Sequence, residues 1–487
     1  MDQSRAPVLE AISAFHRRGD VSFNPPGHKQ GRGIDPRVRE VLGDDAFTSD
    51  ILSMNALDDR RMTGRVLERA QELMADAVGA DHAFFSTCGS SLSVKSALLA
   101  VAPPHSKLLV SRNAHKSVVA AVVLSGVEPV WVHPHFDGDL HLSHPPEPGD
   151  ARHALDSHPD AWGMLLISPT DYGTCADIAG VADVCHEHGV PLVVDEAWGA
   201  HFPFHEDLPQ WGVSVGADVV LTSVHKMGSG LEQSSVFHLR GDRVDPATLR
   251  ACEDLLGTTS ASVLMYAALD GWRRQMVQQG RALLAGAIRR ATRVREELDA
   301  VPGLSVLSRD DIVRPGCAAD QDVLKIVVDV RDLDVNGYQV ADWLHAHAHV
   351  NVGLADHRRV SVQITHADDD DTVGYLVEAF RRVVAASTDM ERLPEVRPPR
   401  PGALELDTVM LPRDAFFAPS ETVALDDAVG RVAAEMVSPY PPGVPVLAPG
   451  ERITGEVLDY LASGPPAGML IPDAADGTMK TLRVVAE

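Results

Sequence analysis

The chain has 487 residues, 45% hydrophobic and 23% charged, with 43 basic against 69 acidic side chains and a formal net charge of −26. That balance argues against nucleic acid, whose phosphates need a basic footprint; an acidic field would attract small cationic molecules, although solubility, or an organism that favours acidic proteins, accounts for the same charge. No apolar stretch reaches membrane-spanning length and no basic-then-apolar leader opens the chain, so no membrane partner is expected. The five cysteines (Cys88, Cys175, Cys185, Cys252, Cys317) show no C-x-x-C spacing, which points to reduced thiols and a cytoplasmic address.

In chain order, APVLEAISAFHRRGD reads as a short amphipathic helix, apolar at Val8, Leu9, Ile12 and Phe15. A Pro/Gly-rich loop, NPPGHKQGRG, follows, and the two belong to an N-terminal segment of residues 1–63. From Gly64 helix and strand alternate. A helix through RVLERAQELMADAVG leads to the strand HAFFS, the turn TCGSS and the helix SVKSALLAVA. The strand KLLV, a helix after NAHKS, the strands EPVWV and WGMLLIS and the helix DIAGVADVCHEHG come next. VPLVVD and ADVVLTS are continuous apolar runs, the mark of strands buried on both faces of a parallel sheet, and SSVFHL adds one more strand. This alternation predicts βαβ units, an α/β domain over residues 64–300 with a mostly parallel sheet covered by helices, ending in a long helix from about Ser262 to Ala300. Residues 301–390, with strands LKIVVDV and VSVQIT, read as a smaller α+β domain. LPEVRPPRPG marks a linker over 391–402, and residues 403–487 form a separate C-terminal domain with the helix GEVLDYLAS.

The chemistry concentrates at two strand ends. VPLVVD stops at Asp195, and ADVVLTS stops at Ser223, three residues before Lys226 and its glycines. Carboxyl ends of strands in open α/β sheets are where ligands bind. A single lysine is usually a solvated amine and a single aspartate often a cap or ion-pair partner. Together at such ends, however, a lysine and an acid suit pyridoxal phosphate, which needs a Schiff-base amine and a carboxylate against its pyridine nitrogen. TCGSS, small and hydroxyl-rich at a helix N-terminus, would cradle the phosphate, although capping alone uses the same residues. His115, after the strand KLLV, is placed where an imidazole can lie flat on an aromatic ring.

The ordered set PPGHKQG, TCGSS, RNAHKS, SPTDYG, DEAWGAH, SVHK, TTSAS and YPPGVP with PGE resembles the ornithine/lysine/arginine decarboxylases, in their short form, among the fold type I pyridoxal-phosphate enzymes. The resemblance implies that fold type I architecture, with smaller α+β domains toward the C-terminus. It implies decarboxylation of a basic L-amino acid, arginine or lysine before ornithine, to the amine and carbon dioxide, with pyridoxal 5′-phosphate as cofactor. Lys226 would form the Schiff base, Asp195 hold the pyridinium proton and His115 stack on the ring. Gly89, Ser90, Ser91, Ser223 and His225 would bind or neighbour the phosphate, and Ala197 and Trp198 would line the other face. Lys226 or His225 would return the proton. His28, Thr258, Thr259, Ser260 and Glu451 would lie toward the substrate, within the chain or across the interface of a homodimer or larger assembly, Glu451 as an acid near the entrance. The chain departs from the family pattern in TTSAS, which lacks a proline and a tyrosine, in the less threonine-rich TCGSS, and in the Asn-Pro opening of NPPGHKQG.

Two alternatives carry different signatures. One is another fold type I reaction, by an aminotransferase, aldolase or biosynthetic lyase; of these the aminotransferases generally require an arginine clamp for the substrate carboxylate, and the strand-end motifs offer none on this reading. A non-catalytic descendant would not retain Lys226, Asp195 and His115 together. The histidines of WLHAHAHVNV (His345, His347, His349) and of the Pro-rich loop (His133, His135, His141, His144) do not complete a zinc ligand pattern, so no metal is expected.

Overall fold

A computed structural model of the chain describes residues 1–52, 64–400, 402–440 and 442–487. Residues 53–63 of the expected N-terminal segment, Pro401 of the linker and Pro441 of YPPGVP lie outside the described residues. The chain divides into two compact units, Met1–Ala100 with Val193–Leu283, and Val101–Leu192 with Leu284–Glu487.

Seven strands carry the α/β framework: β1 (His82–Ser86), β2 (Lys107–Ser111), β3 (Glu128–Val132), β4 (Met164–Ile167), β5 (Leu192–Asp195), β6 (Val219–Ser223) and β7 (Ser235–Leu239). In the first unit their order is β1-β7-β6-β5, and in the second β4-β2-β3. β5 and β6 are parallel with Asp195 opposite Leu221, and every residue of both is buried, as their unbroken apolar runs require. β2 is parallel to β3 and to β4. β7 departs from the expected pattern by pairing antiparallel with both β6 and β1. The segment Val224–Ser234 is too short to cross over a sheet and return parallel, so the chain reverses directly.

The first unit opens on the helix Pro7–Arg18, with proline at its start and Gly19 in the left-handed region at its end. Val8, Ile12 and Phe15 are buried, whereas Leu9 is 39% exposed and is not on the apolar face. The helix start is fixed by Asp270, whose Oδ2 accepts the Val8 N–H at 2.9 Å, while its Oδ1 pairs with the fully buried Arg273 at 2.7 Å. Both belong to a 37-residue helix, Val263–Asp299, matching the long helical stretch read from the sequence.

In the second unit, antiparallel strands Ser305–Val306, Lys325–Asp329, Arg359–Gln363 and Leu354–Ala355 form a four-stranded sheet, packed against the helix Gly337–Ala348. The strands expected in LKIVVDV and VSVQIT are two of these four. Residues 391–400 have no regular structure. Beyond them Ser420–Ala424 pairs antiparallel with Thr481–Val485, and the helix Gly455–Ser463 is capped by Thr454. No helix among the described residues is long and apolar enough to cross a membrane.

Candidate active site

The site in the first unit is built at the carboxyl ends of β5 and β6. Asp195 ends β5, is only 5% exposed, and its Oδ1 accepts the Ala197 N–H at 3.2 Å. The Ala197 carbonyl in turn accepts the Ser223 N–H at 3.2 Å, which ties the residues after β5 to the end of β6. Lys226 lies on the short helix Val224–Met227 that begins where β6 stops. Its ammonium sits over the Trp198 ring, 4.3 Å from the centroid, a contact that holds a cation against an aromatic face. His225 is half-buried, and its Nδ1 lies 3.2 Å from the Ser234 carbonyl, so the ring donates from that nitrogen. Burial, and then the Lys226 charge, press the imidazole below its ordinary value, while the Ser234 carbonyl opposes them.

Gly228 is required by space rather than by backbone angle. A Cβ there would lie 2.7 Å from Trp272 Nε1 and 2.8 Å from the Val224 carbonyl oxygen. The glycine following Lys226 therefore lets the short helix sit against Trp272.

The hydroxyl cradle is assembled from both sides. Ser223 Oγ donates to Ser90 Oγ at 2.7 Å, across 133 positions of sequence. Gly89 has φ +75°, and its N–H donates to the Gln233 carbonyl at 2.9 Å, seating TCGSS beside the loop after Lys226. Ser90 and Ser91 open the helix Ser90–Val101, and the first-turn N–H groups and dipole of a helix favour an anion. A lysine amine, a buried carboxylate on the neighbouring strand end and hydroxyls at a helix N-terminus are the donor set that pyridoxal phosphate requires, so these residues fit that group.

Thr258 and Thr259 line a small cleft with Thr87 and Cys88 of the same chain, and Thr258 Oγ1 lies 3.1 Å from Ser260 Oγ on an exposed segment. His28 Nδ1 accepts the Gly31 N–H at 3.3 Å, its Nε2 lies 3.2 Å from Asp50 Oδ2, and its ring meets Phe47 edge-on.

Glu196, next to Asp195, was not singled out in the sequence. It is fully buried, and its Oε2 accepts the Gly212 N–H at 3.3 Å. Burial raises its carboxyl well above the ordinary range, against the Gly212 hydrogen bond, with the Asp195 charge adding to the rise. The signal was its place directly after a strand-end acid, where no water can reach.

In the second unit, His115 caps the helix Lys116–Ser125, its Nδ1 accepting the Ser117 N–H at 3.2 Å. Gly443 packs on it: a Cβ there would lie 3.4 Å from His115 Nε2, and the Gly443 carbonyl accepts the Lys116 N–H at 2.9 Å. The folded chain gives Glu451 a different place from the entrance acid implied by the resemblance. It is 1% exposed, and both its oxygens are taken by Arg112, at 3.1 and 3.0 Å, with the Ala448 N–H at 2.7 Å. Arg112 itself corrects the reading that no strand-end motif carries an arginine. It directly follows β2, but its guanidinium is committed to Glu451 and to the Pro445 carbonyl and offers no carboxylate clamp.

Residues 6–359 match the family described as Orn/Lys/Arg decarboxylase, major domain, and residues 405–472 match its C-terminal domain. The chain belongs to the Orn/Lys/Arg decarboxylase family. It is 37% identical over 486 residues to an arginine decarboxylase of Halalkalibacterium halodurans, covering 100% of this chain and 98% of that one. It is 35% identical over 490 residues to an arginine decarboxylase of Bacillus subtilis, covering 100% and 99%. The solved constitutive lysine decarboxylase of Escherichia coli superposes with a TM-score of 0.80 at 19% identity, over 100% of this chain and 82% of that one, and shares the fold. As a member of this family the chain is a carboxy-lyase of the pyridoxal-phosphate fold type I class, with the mostly parallel sheet expected from its alternating elements.

Proposed function

We propose that the protein decarboxylates L-arginine to agmatine and carbon dioxide, a step in polyamine biosynthesis, with pyridoxal 5′-phosphate held at Lys226. The observation that carries this reading is the joining of Lys226, Asp195 and the Ser90–Ser223 hydroxyl pair at two adjacent strand ends, in a chain whose full-length relatives at 35–37% identity are arginine decarboxylases. Pyridoxal phosphate, when bound, supplies the electron sink for the breaking Cα–carboxylate bond.

The chain's residues do the rest. Lys226 provides the anchoring amine, and Trp198 limits where that amine can point. Asp195, kept from water and fixed by the Ala197 N–H, presents a carboxylate that retains a proton on a neighbouring ring nitrogen. Ser90, Ser91, Ser223 and the Gly89 turn receive the phosphate at the start of the Ser90–Val101 helix. His115 contributes a flat imidazole whose orientation is set by the Ser117 N–H. Decarboxylation replaces the carboxylate by a proton, which Lys226 Nζ or the His225 ring delivers. His28, Thr258, Thr259 and Ser260 are proposed to face the substrate, in a homodimer or larger assembly in the cytoplasm. The domain divisions at residues 63, 300, 390 and 402 are proposed as functional modules. The test is to supply arginine, lysine and ornithine separately and to quantify carbon dioxide with agmatine, cadaverine and putrescine. Agmatine as the dominant product supports the proposal; preference for lysine or ornithine, or no carbon dioxide from arginine, overturns it.

A further inference from the structure

In the second unit, an antiparallel pair of short strands, His135–Asp137 and Leu142–His144, carries polar groups into an apolar setting. His144 is completely buried, and neither of its ring nitrogens has a hydrogen-bond partner. An unmet buried polar atom costs roughly 1–3 kcal/mol, so such a group is ordinarily satisfied by something. The Asp137 side chain is 5% exposed. Its Oδ1 accepts the N–H groups of Asp139 and Leu140, each at 2.9 Å, leaving Oδ2 to pair with Arg314 and to lie 3.8 Å from Cys317 Sγ. One ligand atom each from Asp137, His144 and Cys317 thus falls within 4.8 Å of the others, the one such grouping among the described residues.

We propose that Asp137, His144 and Cys317 bind a zinc ion. A carboxylate oxygen, an imidazole nitrogen and a thiolate are the ligand types zinc takes, whereas calcium and magnesium select oxygen alone. The orphaned imidazole is the second, independent sign of a missing ligand: a metal would satisfy one nitrogen directly. Two anionic ligands would balance the ion's charge, so the buried site would carry no net charge. On binding, the Cys317 thiol releases its proton to solvent as the zinc–sulfur bond forms. Arg314, 45% exposed, can yield Oδ2 to the ion without leaving a buried cation unpaired. Cys317 also lines a cleft of about 400 Å³ with Glu147, Arg314 and Pro315, through which the ion and a water as fourth ligand would enter.

The ion would staple the 135–144 strand pair to the loop that closes with the Val313–Ala318 bridge. Both flank the apolar cluster of Leu142, Leu307, Ile312, Ala318 and Val327, so its role is structural. Cys317 lies 173 positions beyond His144, so no short-range spacing in the sequence joins the two.

The experiment uses the tag-free holoprotein, stripped with a chelator and titrated with zinc chloride or with cobalt(II). The proposal predicts about one zinc per chain, a higher unfolding midpoint with zinc, and a cobalt–thiolate charge-transfer band in the difference spectrum. Cys317→Ser should abolish that band, and His144→Ala should weaken binding by at least roughly tenfold. A wild-type protein with no thiolate band, or Cys317→Ser and His144→Ala variants that bind zinc as the wild type does, would overturn it. The wild-type spectrum decides the matter even if a variant does not fold.

Discussion

Replacing Glu451 by alanine tests how the end of β2 is held to the segment after YPPGVP. The substitution removes three acceptor contacts at once: Arg112 Nε at 3.1 Å, Arg112 Nη2 at 3.0 Å and the Ala448 N–H at 2.7 Å. Arg112, 6% exposed, would then keep its charge in the interior without a carboxylate. Breaking a buried pair from one side typically costs 3–5 kcal/mol. Arg112 retains the Pro445 carbonyl at 2.6 Å and the face of Trp131, with its guanidinium carbon 5.1 Å from the ring centroid, so the lower end applies: about 3 kcal/mol. Replacing both partners by apolar residues, Arg112→Met with Glu451→Leu, should recover most of that loss, because no buried charge is left uncompensated. Urea denaturation monitored by circular dichroism and tryptophan fluorescence gives the four corners of the cycle (wild type, Arg112→Met, Glu451→Leu and the double variant), with Glu451→Ala measured beside them. A Glu451→Ala loss below about 1 kcal/mol, or a double variant no better than the single ones, would refute the reasoning.

Glu196→Gln removes a carboxyl whose folded-state value lies well above its ordinary 4.5. The folded chain therefore binds more protons than the unfolded chain above that pH, and stability falls as pH rises, by about 1.4 kcal/mol per unit while the buried group stays protonated. Thermal melts should show the variant gaining on the wild type from acidic to neutral pH, with the two converging at about pH 4; a pH-independent difference would contradict this. Gly228→Ala forces a Cβ against Trp272 and the Val224 carbonyl, so it should cost about 1–3 kcal/mol and reduce cofactor occupancy by shifting the helix that bears Lys226. Unchanged melting and absorbance would show that the close approach is not as tight as drawn.

The strand ends were legible because burial on both faces leaves an unmistakable trace: VPLVVD and ADVVLTS are apolar until the residue that leaves the sheet. Helix limits were legible where punctuation was strong, as at Pro7 and Gly19. The reversed direction of β7 was hidden, since strand composition does not encode pairing sense; only the brevity of the turn before it does. Leu9 was misjudged because apolar character alone does not say which side of a helix a residue takes. Partnerships over long sequence distances were the least visible. Arg112 and Glu451 are 339 positions apart, and Ser90 and Ser223 are 133 apart, so their meeting depends on the completed fold. The roles proposed for Asp195 and Lys226 rest on local motifs, whereas the burial of Glu451 depends on its tertiary surroundings.

The central claim is that the amine of Lys226 anchors the cofactor. Borohydride reduction of the purified holoprotein followed by peptide mapping tests it directly, because reduction makes the attachment permanent. The account predicts a phosphopyridoxyl group on the peptide containing Lys226, and its loss together with the visible absorbance in Lys226→Ala. Attachment at another lysine, or no attachment in a protein that still releases carbon dioxide from arginine, would contradict it.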